Sequence, residues 1–127
     1  MAFLRHDPSA VGTPVGGYTH GLEVPTGARL LFISGQIPTR KDGSVPPDFE
    51  DQCRAVWGNI VAVLTSANMT VDNLVKVTTY LGSRDHADAN AAVRREILGK
   101  ARPALTVIVA EIFDAAWLLE IEAIAAG

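Results

Sequence analysis

Leu105-Thr106-Val107-Ile108-Val109-Ala110 is the stretch that decides the fold. It is short and rich in β-branched residues, so it reads as a strand. Alternation sends Leu105, Val107 and Val109 to one face and Thr106, Ile108 and Ala110 to the other, and neither set carries a charge. Leu30-Leu31-Phe32-Ile33 has the same two-sided apolar character. Strands of this kind are covered on both faces, so the number of layers available to cover them becomes the central question.

Working outward from that strand, Gly17 to Val24 and Arg29 to Ser34 read as a hairpin, turned at Pro25-Thr26-Gly27. Residues 36–47 hold Pro38, Asp42-Gly43 and Pro46-Pro47 and are expected to be a loop. From Asp48, which can cap a helix, the apolar residues Phe49, Cys53, Val56, Ile60, Val63 and Leu64 recur at helical spacing as far as a terminator at Asn68. Thr70 and Asp72 open a turn into a strand from Leu74 to Leu81, with Val75, Val77, Thr79 and Leu81 on one face. Asp85 is read as the cap of a second helix that runs through Leu98 and stops at Gly99. The 105–110 strand follows, then a turn at Asp114-Ala115-Ala116 and a last strand from Trp117 to Ala125.

The resulting order is ββαβαββ, an α/β (α+β) arrangement with a mixed sheet and two helices on one face, filling residues 1–127 as one domain. Two helices cover one side of such a sheet, so the other side of the apolar strands needs a different cover. Another copy of the chain supplies it without leaving an open edge, and a homo-oligomer is predicted.

Composition limits the function classes. The 127 residues are 48% hydrophobic and 20% charged, as in a chain that folds on its own core. The net charge is −3, and no basic run exceeds pairs such as Arg40-Lys41 and Arg94-Arg95, so no nucleic-acid partner is expected. The start, Met1 to Pro8, is charged by Arg5, and no later segment is long and apolar enough for a bilayer. No membrane partner and a cytoplasmic location are therefore expected. The lone Cys53 cannot form an internal disulfide, in keeping with a reducing compartment.

Chemistry-bearing residues are few. His6, His20 and His86 are scattered, so no metal site is expected. Gly12, Gly16, Gly17 and Gly21 lack the strand-to-helix setting of a phosphate loop, and no cofactor is expected. Cys53 lies on the apolar stripe of its helix, the place of a core residue rather than a nucleophile. In Leu119-Glu120-Ile121-Glu122-Ala123-Ile124-Ala125 both carboxylates share the face opposite Leu119, Ile121 and Ala123. A carboxylate held at a partly dry interface acts as an acid or base, or orients a water. An ion-paired or rim-exposed glutamate is the other reading, preferred for Glu122 and left open for Glu120.

Gly17-Tyr18, Ile33-Ser34-Gly35-Gln36-Ile37-Pro38, Val75-Lys76-Val77-Thr78-Thr79-Tyr80-Leu81, Asn90 and Glu120-Ile121-Glu122-Ala123-Ile124-Ala125 together resemble the RidA/YjgF family, formerly labelled endoribonuclease L-PSP. The resemblance implies a chorismate-mutase-like fold and a homotrimer, with helices outside and the sheets facing a central barrel. It also implies small-molecule clefts between subunits. In the family's deaminases these clefts hydrolyse enamines and imines such as 2-aminoacrylate to a keto acid and ammonia, without a cofactor. By position, Glu120 would orient the attacking water, Tyr18 and Ser34 would line the pocket, the Gly35 amide would contact the ligand, and Asn90 would sit nearby. Packing of Tyr18, a strand end at Ser34-Gly35 and a helix-surface amide at Asn90 are the structural alternatives.

The chain departs from the family at one place. The deaminases carry an arginine in a P-A-R-[ST] run that pairs with the substrate carboxylate. Here the run is Arg102-Pro103-Ala104-Leu105-Thr106. One register puts Leu105 at the arginine's position. The other puts Ala104 there, with Thr106 at a pocket position often held by cysteine. Arg102 lies two or three residues upstream, a displacement of about 7–10 Å at strand spacing, and either reaches in or rests at a helix end. A non-catalytic metabolite-binding trimer is the alternative to a deaminase, and RNA cleavage, suggested by the older label, is opposed by the acidic balance.

Overall fold

In the computed structural model, which describes residues 2–127, the first helix, α1 (Phe49–Ser66), is organised by one buried stripe. Phe49, Gln52, Cys53, Val56, Trp57, Ile60 and Leu64 recur at three- and four-residue intervals and all face the core. Asp48 stands at the N-cap position, but its side chain makes no capping hydrogen bond. The helix start is fixed by burial of the stripe, not by the expected cap. The end is as expected: Asn68 takes a left-handed φ of 57°, and the Met69 N–H returns to the Leu64 carbonyl at 2.9 Å.

The other elements are β1 (Leu4–His6), β2 (Gly21–Glu23), β3 (Leu30–Gln36), β4 (Leu74–Leu81), α2 (Ala87–Leu98), β5 (Ala104–Val109) and β6 (Leu119–Ala126). Single 3₁₀ turns at Val71–Asn73 and Arg84–His86 precede β4 and α2. Asp85 lies inside the second turn, where Ser83 Oγ accepts its N–H at 3.1 Å. Asp85 therefore does not cap α2, which begins two residues later.

One four-stranded sheet runs in the order β3-β6-β4-β5, with β4 and β5 parallel and the other pairs antiparallel. The parallel pair requires a crossover, and α2 is that crossover. Register sorts the side chains. Val77 lies opposite Ala123, Thr79 opposite Ile121 and Leu81 opposite Leu119, and all six are buried beneath the helices. Their neighbours Lys76, Thr78 and Tyr80 are left on the other face.

The predicted hairpin between the first two strands does not form. β2 instead pairs antiparallel with β1, Leu4 opposite Glu23 and His6 opposite Gly21, as a separate two-stranded sheet. The Asp7 carboxylate accepts from Thr19 Oγ1 at 2.7 Å and from the His20 N–H at 2.6 Å, fastening this segment to the N-terminal strand. The Thr19 N–H donates to the Pro103 carbonyl at 3.2 Å, and Thr19 bridges to Ala104. The segment is thereby held beside the start of β5, at the sheet edge farthest from β3. The turn at Pro25 exists, with the Ala28 N–H reaching the Pro25 carbonyl at 3.3 Å, but it joins two sheets.

The face count survives this correction. In the single chain Phe32 is 71% exposed, Leu30 56% and Ile108 44%, an apolar load on the side away from the helices.

Candidate functional site

The site is built on that open face. β4 contributes Lys76, Thr78 and Tyr80, and β6 contributes Glu120 and Glu122, with Thr78 opposite Glu122 and Tyr80 opposite Glu120. β3 reaches the same place through a register break. Ile33 pairs with Ala123 and Gln36 with Ile121, so Ser34 and Gly35 together oppose the single residue Glu122. This bulge brings the Gly35 backbone against the Glu120 side chain. A Cβ at Gly35 would collide with the Glu120 carboxylate, its distance to Cδ being 2.9 Å. A side chain at position 35 would therefore displace the Glu120 carboxylate rather than strain the backbone. Gly35→Ala is expected to push Glu120 out of this position and lower any Glu120-dependent activity about tenfold or more, with a melting temperature close to wild type. Activity assays beside thermal melts check it.

Two pockets open beside the β6 carboxylates. One, of about 330 Å³, is lined by Phe32, Ser34, Lys76, Thr78, Glu122 and Ile124. The second, of about 240 Å³, lies between Tyr80, Phe113, Glu111 and the two β6 carboxylates. Within them the polar groups are unequally tied. Lys76 Nζ donates to Thr106 Oγ1 at 2.7 Å, and Tyr80 Oη donates to Glu122 Oε1 at 2.6 Å. That hydrogen bond, with burial behind it, raises the Tyr80 phenol above its ordinary pKa and keeps it a donor. Glu122 is thereby occupied, as a hydrogen-bonded partner rather than an ion-paired one. Glu120 makes no side-chain hydrogen bond or ion pair among the described residues, so its carboxylate is free to act.

The remaining residues singled out from the sequence lie elsewhere in the single chain. Leu105 pairs in register with Val77 and packs half-buried against the core, while Ala104 and Thr106 take the open side. Arg102 does not reach the open face: its Nη1 donates to the Gly99 and Ala101 carbonyls, both at 3.1 Å, at the end of α2. Tyr18, next to Gly17, stacks edge-on with His20 at 5.7 Å between ring centroids. Asn90 is buried instead of lying on the surface of its helix, and its Oδ1 accepts from Cys53 Sγ at 3.9 Å. Burial pushes the Cys53 thiol up to about 12, so it supplies no thiolate at neutral pH. One chain therefore gathers Ser34, Gly35, Glu120 and, through Lys76, Thr106, and leaves Tyr18, Asn90, Arg102 and Leu105 apart.

Lys76, Thr78 and Tyr80 were missed as site residues although alternation along β4 places them opposite the core set. Among the described residues no cluster of histidine, cysteine, aspartate and glutamate is arranged to hold a metal.

A family model described as Endoribonuclease L-PSP matches residues 9–127. The chain belongs to the RidA/YjgF family. RutC family protein PH0854 of Pyrococcus horikoshii is 35% identical over 114 residues, 88% of each chain. Among solved structures, the Rid-family protein YyfB of Yersinia pestis superposes with a TM-score of 0.87 over the full length of both chains at 28% identity. The structure of Escherichia coli TdcF with bound serine gives a TM-score of 0.74 at 27% identity, covering 95% of this chain and 93% of that one. The expected fold class is thus the family's own, with the N-terminal strands paired differently from the sequence reading.

Proposed function

We propose that this RidA/YjgF protein works as a homotrimer in the cytoplasm, binds small metabolites in clefts between its subunits, and hydrolyses reactive enamines or imines there. The observation that carries the reading is the unpaired Glu120 carboxylate, set against the Gly35 backbone by a bulge, on an open sheet face that carries both exposed apolar side chains and pockets with polar linings. TdcF, whose name provisionally gives it a reactive-intermediate deaminase role, is 31% identical over 68 residues, half of its own length, which supports the same class of chemistry.

Hydrolysis needs a water activated at the imine carbon and a proton delivered to the departing nitrogen. A single carboxylate at Glu120 serves both in turn: it takes a proton from the attacking water and returns it to the amine, so ammonia leaves and a carbonyl remains. The Gly35 backbone, against the Glu120 carboxylate, and Ser34, which lines the adjoining pocket with Glu122, would orient the substrate. Burial of Phe32, Leu30 and Ile108 against neighbouring copies would dry the cleft and strengthen each of these contacts. Ammonia release from imines generated in situ tests the reading, and no acceleration over the uncatalysed rate would refute it.

The split of the carried-over residues into two groups within one chain supports a site completed by a second copy, with Tyr18 and Arg102 brought from a neighbour to the Glu120 side. Static light scattering at micromolar concentration is expected to give three times the 13.5 kDa chain mass. A monomer would overturn the shared-cleft reading.

A second reading, a trimer that binds a metabolite without turning it over, is favoured by one observation. No arginine stands on β5, where Ala104 and Thr106 occupy the open side. Loss of a bidentate contact to a buried carboxylate costs about 2–5 kcal/mol, enough to abolish useful affinity for a small imino acid held there. Ligand-induced thermal stabilisation without ammonia release separates the two.

A further inference from the structure

Tyr80 has its hydroxyl proton already committed. Oη donates to Glu122 Oε1 at 2.6 Å. A phenol carries one O–H and two lone pairs, so a Tyr80 that gives its proton to Glu122 offers the rest of the pocket only an acceptor. The carboxylate also polarises that O–H and makes the phenolic oxygen a stronger acceptor, as neighbouring hydrogen bonds in a chain strengthen one another. The proton stays on the phenol at neutral pH. The bond to Glu122 first, then burial, then the charges of Glu122 and Glu120 hold Tyr80 above its ordinary pKa. Register places this acceptor. Tyr80 stands directly across from Glu120 in the β4–β6 pairing, and Tyr80, Glu120 and Glu122 line one pocket of about 240 Å³. Side chains paired in this way start from Cβ atoms about 4.5–5.5 Å apart. The Glu120 carboxylate turns Oε2 towards Gly35, which leaves its other oxygen for the pocket. Two acceptors, one a base and one a phenolic oxygen, thus share a space that holds water. Glu111, the third carboxylate there, is exposed on the loop after β5, where solvent satisfies it.

We propose that Tyr80 is a positioning residue for the attacking water, which donates one hydrogen to Glu120 and the other to Tyr80 Oη while Glu122 keeps that oxygen an acceptor. The assignment rests on the hydrolase reading and extends it to a second anchor. A water held by both hydrogens has its lone pair fixed in direction, and that lone pair is what meets the imine carbon. As the C–O bond forms, the C=N π pair moves onto nitrogen. The O–H facing Glu120 breaks and its proton passes to the carboxylate, while the O–H facing Tyr80 stays intact. Tyr80 therefore transfers no proton, and its contribution is orientation.

The test follows ammonia release by the full chain from 2-aminoacrylate, supplied at varied flux by a pyridoxal-phosphate lyase acting on serine, so that kcat and KM separate. Tyr80→Phe keeps the ring and removes only the anchor. It is expected to lower kcat about three- to tenfold, the worth of one hydrogen bond, with KM and melting temperature close to wild type. Glu122→Leu frees the Tyr80 proton, and the acceptor directly across the strands is Glu120, so the phenol then donates to the base and occupies it. Its kcat is expected to fall at least as far as that of Tyr80→Phe. Adding Tyr80→Phe to Glu122→Leu removes the misdirected donor and should return kcat to the Tyr80→Phe level, a non-additive pair that a merely structural role would not produce. Glu122→Gln, which keeps an oxygen to accept from Tyr80, is expected to lose less kcat than Glu122→Leu. A Tyr80→Phe protein with wild-type kcat, or losses that simply add in the double variant, would overturn the assignment and leave the hydrolase reading standing. No acceleration by wild type would overturn both.

Discussion

Glu120→Gln is expected to reduce enamine or imine hydrolysis about 10²- to 10⁴-fold, the range supplied by a positioned acid or base. The substitution keeps the shape of the side chain and a hydrogen-bonding oxygen, so it removes proton transfer and little else. Glu120 has no side-chain partner to lose among the described residues, and it lies on the open face rather than in the core. Its stability should therefore stay within about 0.5 kcal/mol of wild type. A pyridoxal-phosphate lyase that releases 2-aminoacrylate from serine supplies the substrate, and loss of the imine and appearance of ammonia are followed together. Wild-type acceleration that disappears in Glu120→Gln, with both proteins melting alike, assigns the chemistry to this carboxylate. Equal rates in the two proteins would remove Glu120 from the reaction. The matching substitution at Glu122 discriminates further, because Tyr80 already holds that carboxylate at 2.6 Å. Glu122→Gln is expected to alter turnover far less.

The parts of the fold that were legible in the sequence are those in which one periodicity meets one environment. The stripe of α1, the alternation of β4 and the paired faces of β6 bury the residues their spacing selects, Val63 alone on the α1 stripe only in part. The N-terminal pairing was not legible, because a turn at Pro25 is compatible with either partner for β2. What decides it is Asp7, twelve residues before Thr19, together with Pro103 and Ala104 far along the chain. Helix caps failed for a related reason: Asp48 and Asp85 have the right chemistry, but Ser83 and the burial of Phe49 set the local geometry. In the site, the shared face of Glu120 and Glu122 follows from alternation alone. Their different states do not, since these depend on Tyr80 and on the bulge at Ser34-Gly35, which are cross-strand facts.

Gln52 shows how a buried polar residue serves the site from a distance. It falls between Phe49 and Val56 on the buried stripe of α1 and is 2% exposed, a core position that the apolar spacing alone does not select. Its amide does something an apolar side chain cannot. Nε2 donates to the Pro46 carbonyl at 2.8 Å and to the Ala116 carbonyl at 3.0 Å, and Oε1 accepts from the Leu118 N–H at 2.8 Å. One side chain thus fastens the loop before α1 and the segment entering β6, and Glu120 follows Leu118 by two residues. Gln52→Leu, similar in volume, strands two carbonyls and one N–H and is expected to cost about 2–4 kcal/mol, read as a lower denaturation midpoint in urea. It should also lower turnover, because the start of β6 loses the anchor that fixes where Glu120 meets Gly35. Gln52→Glu keeps the acceptor for Leu118 but loses both donors and buries a charge, so it should be no more stable than the leucine variant. The signature of this positioning role is a joint loss: Glu120→Gln moves activity without stability, whereas Gln52→Leu moves both. A Gln52→Leu protein as stable as wild type would show that the three hydrogen bonds hold nothing the rest of the core does not already hold.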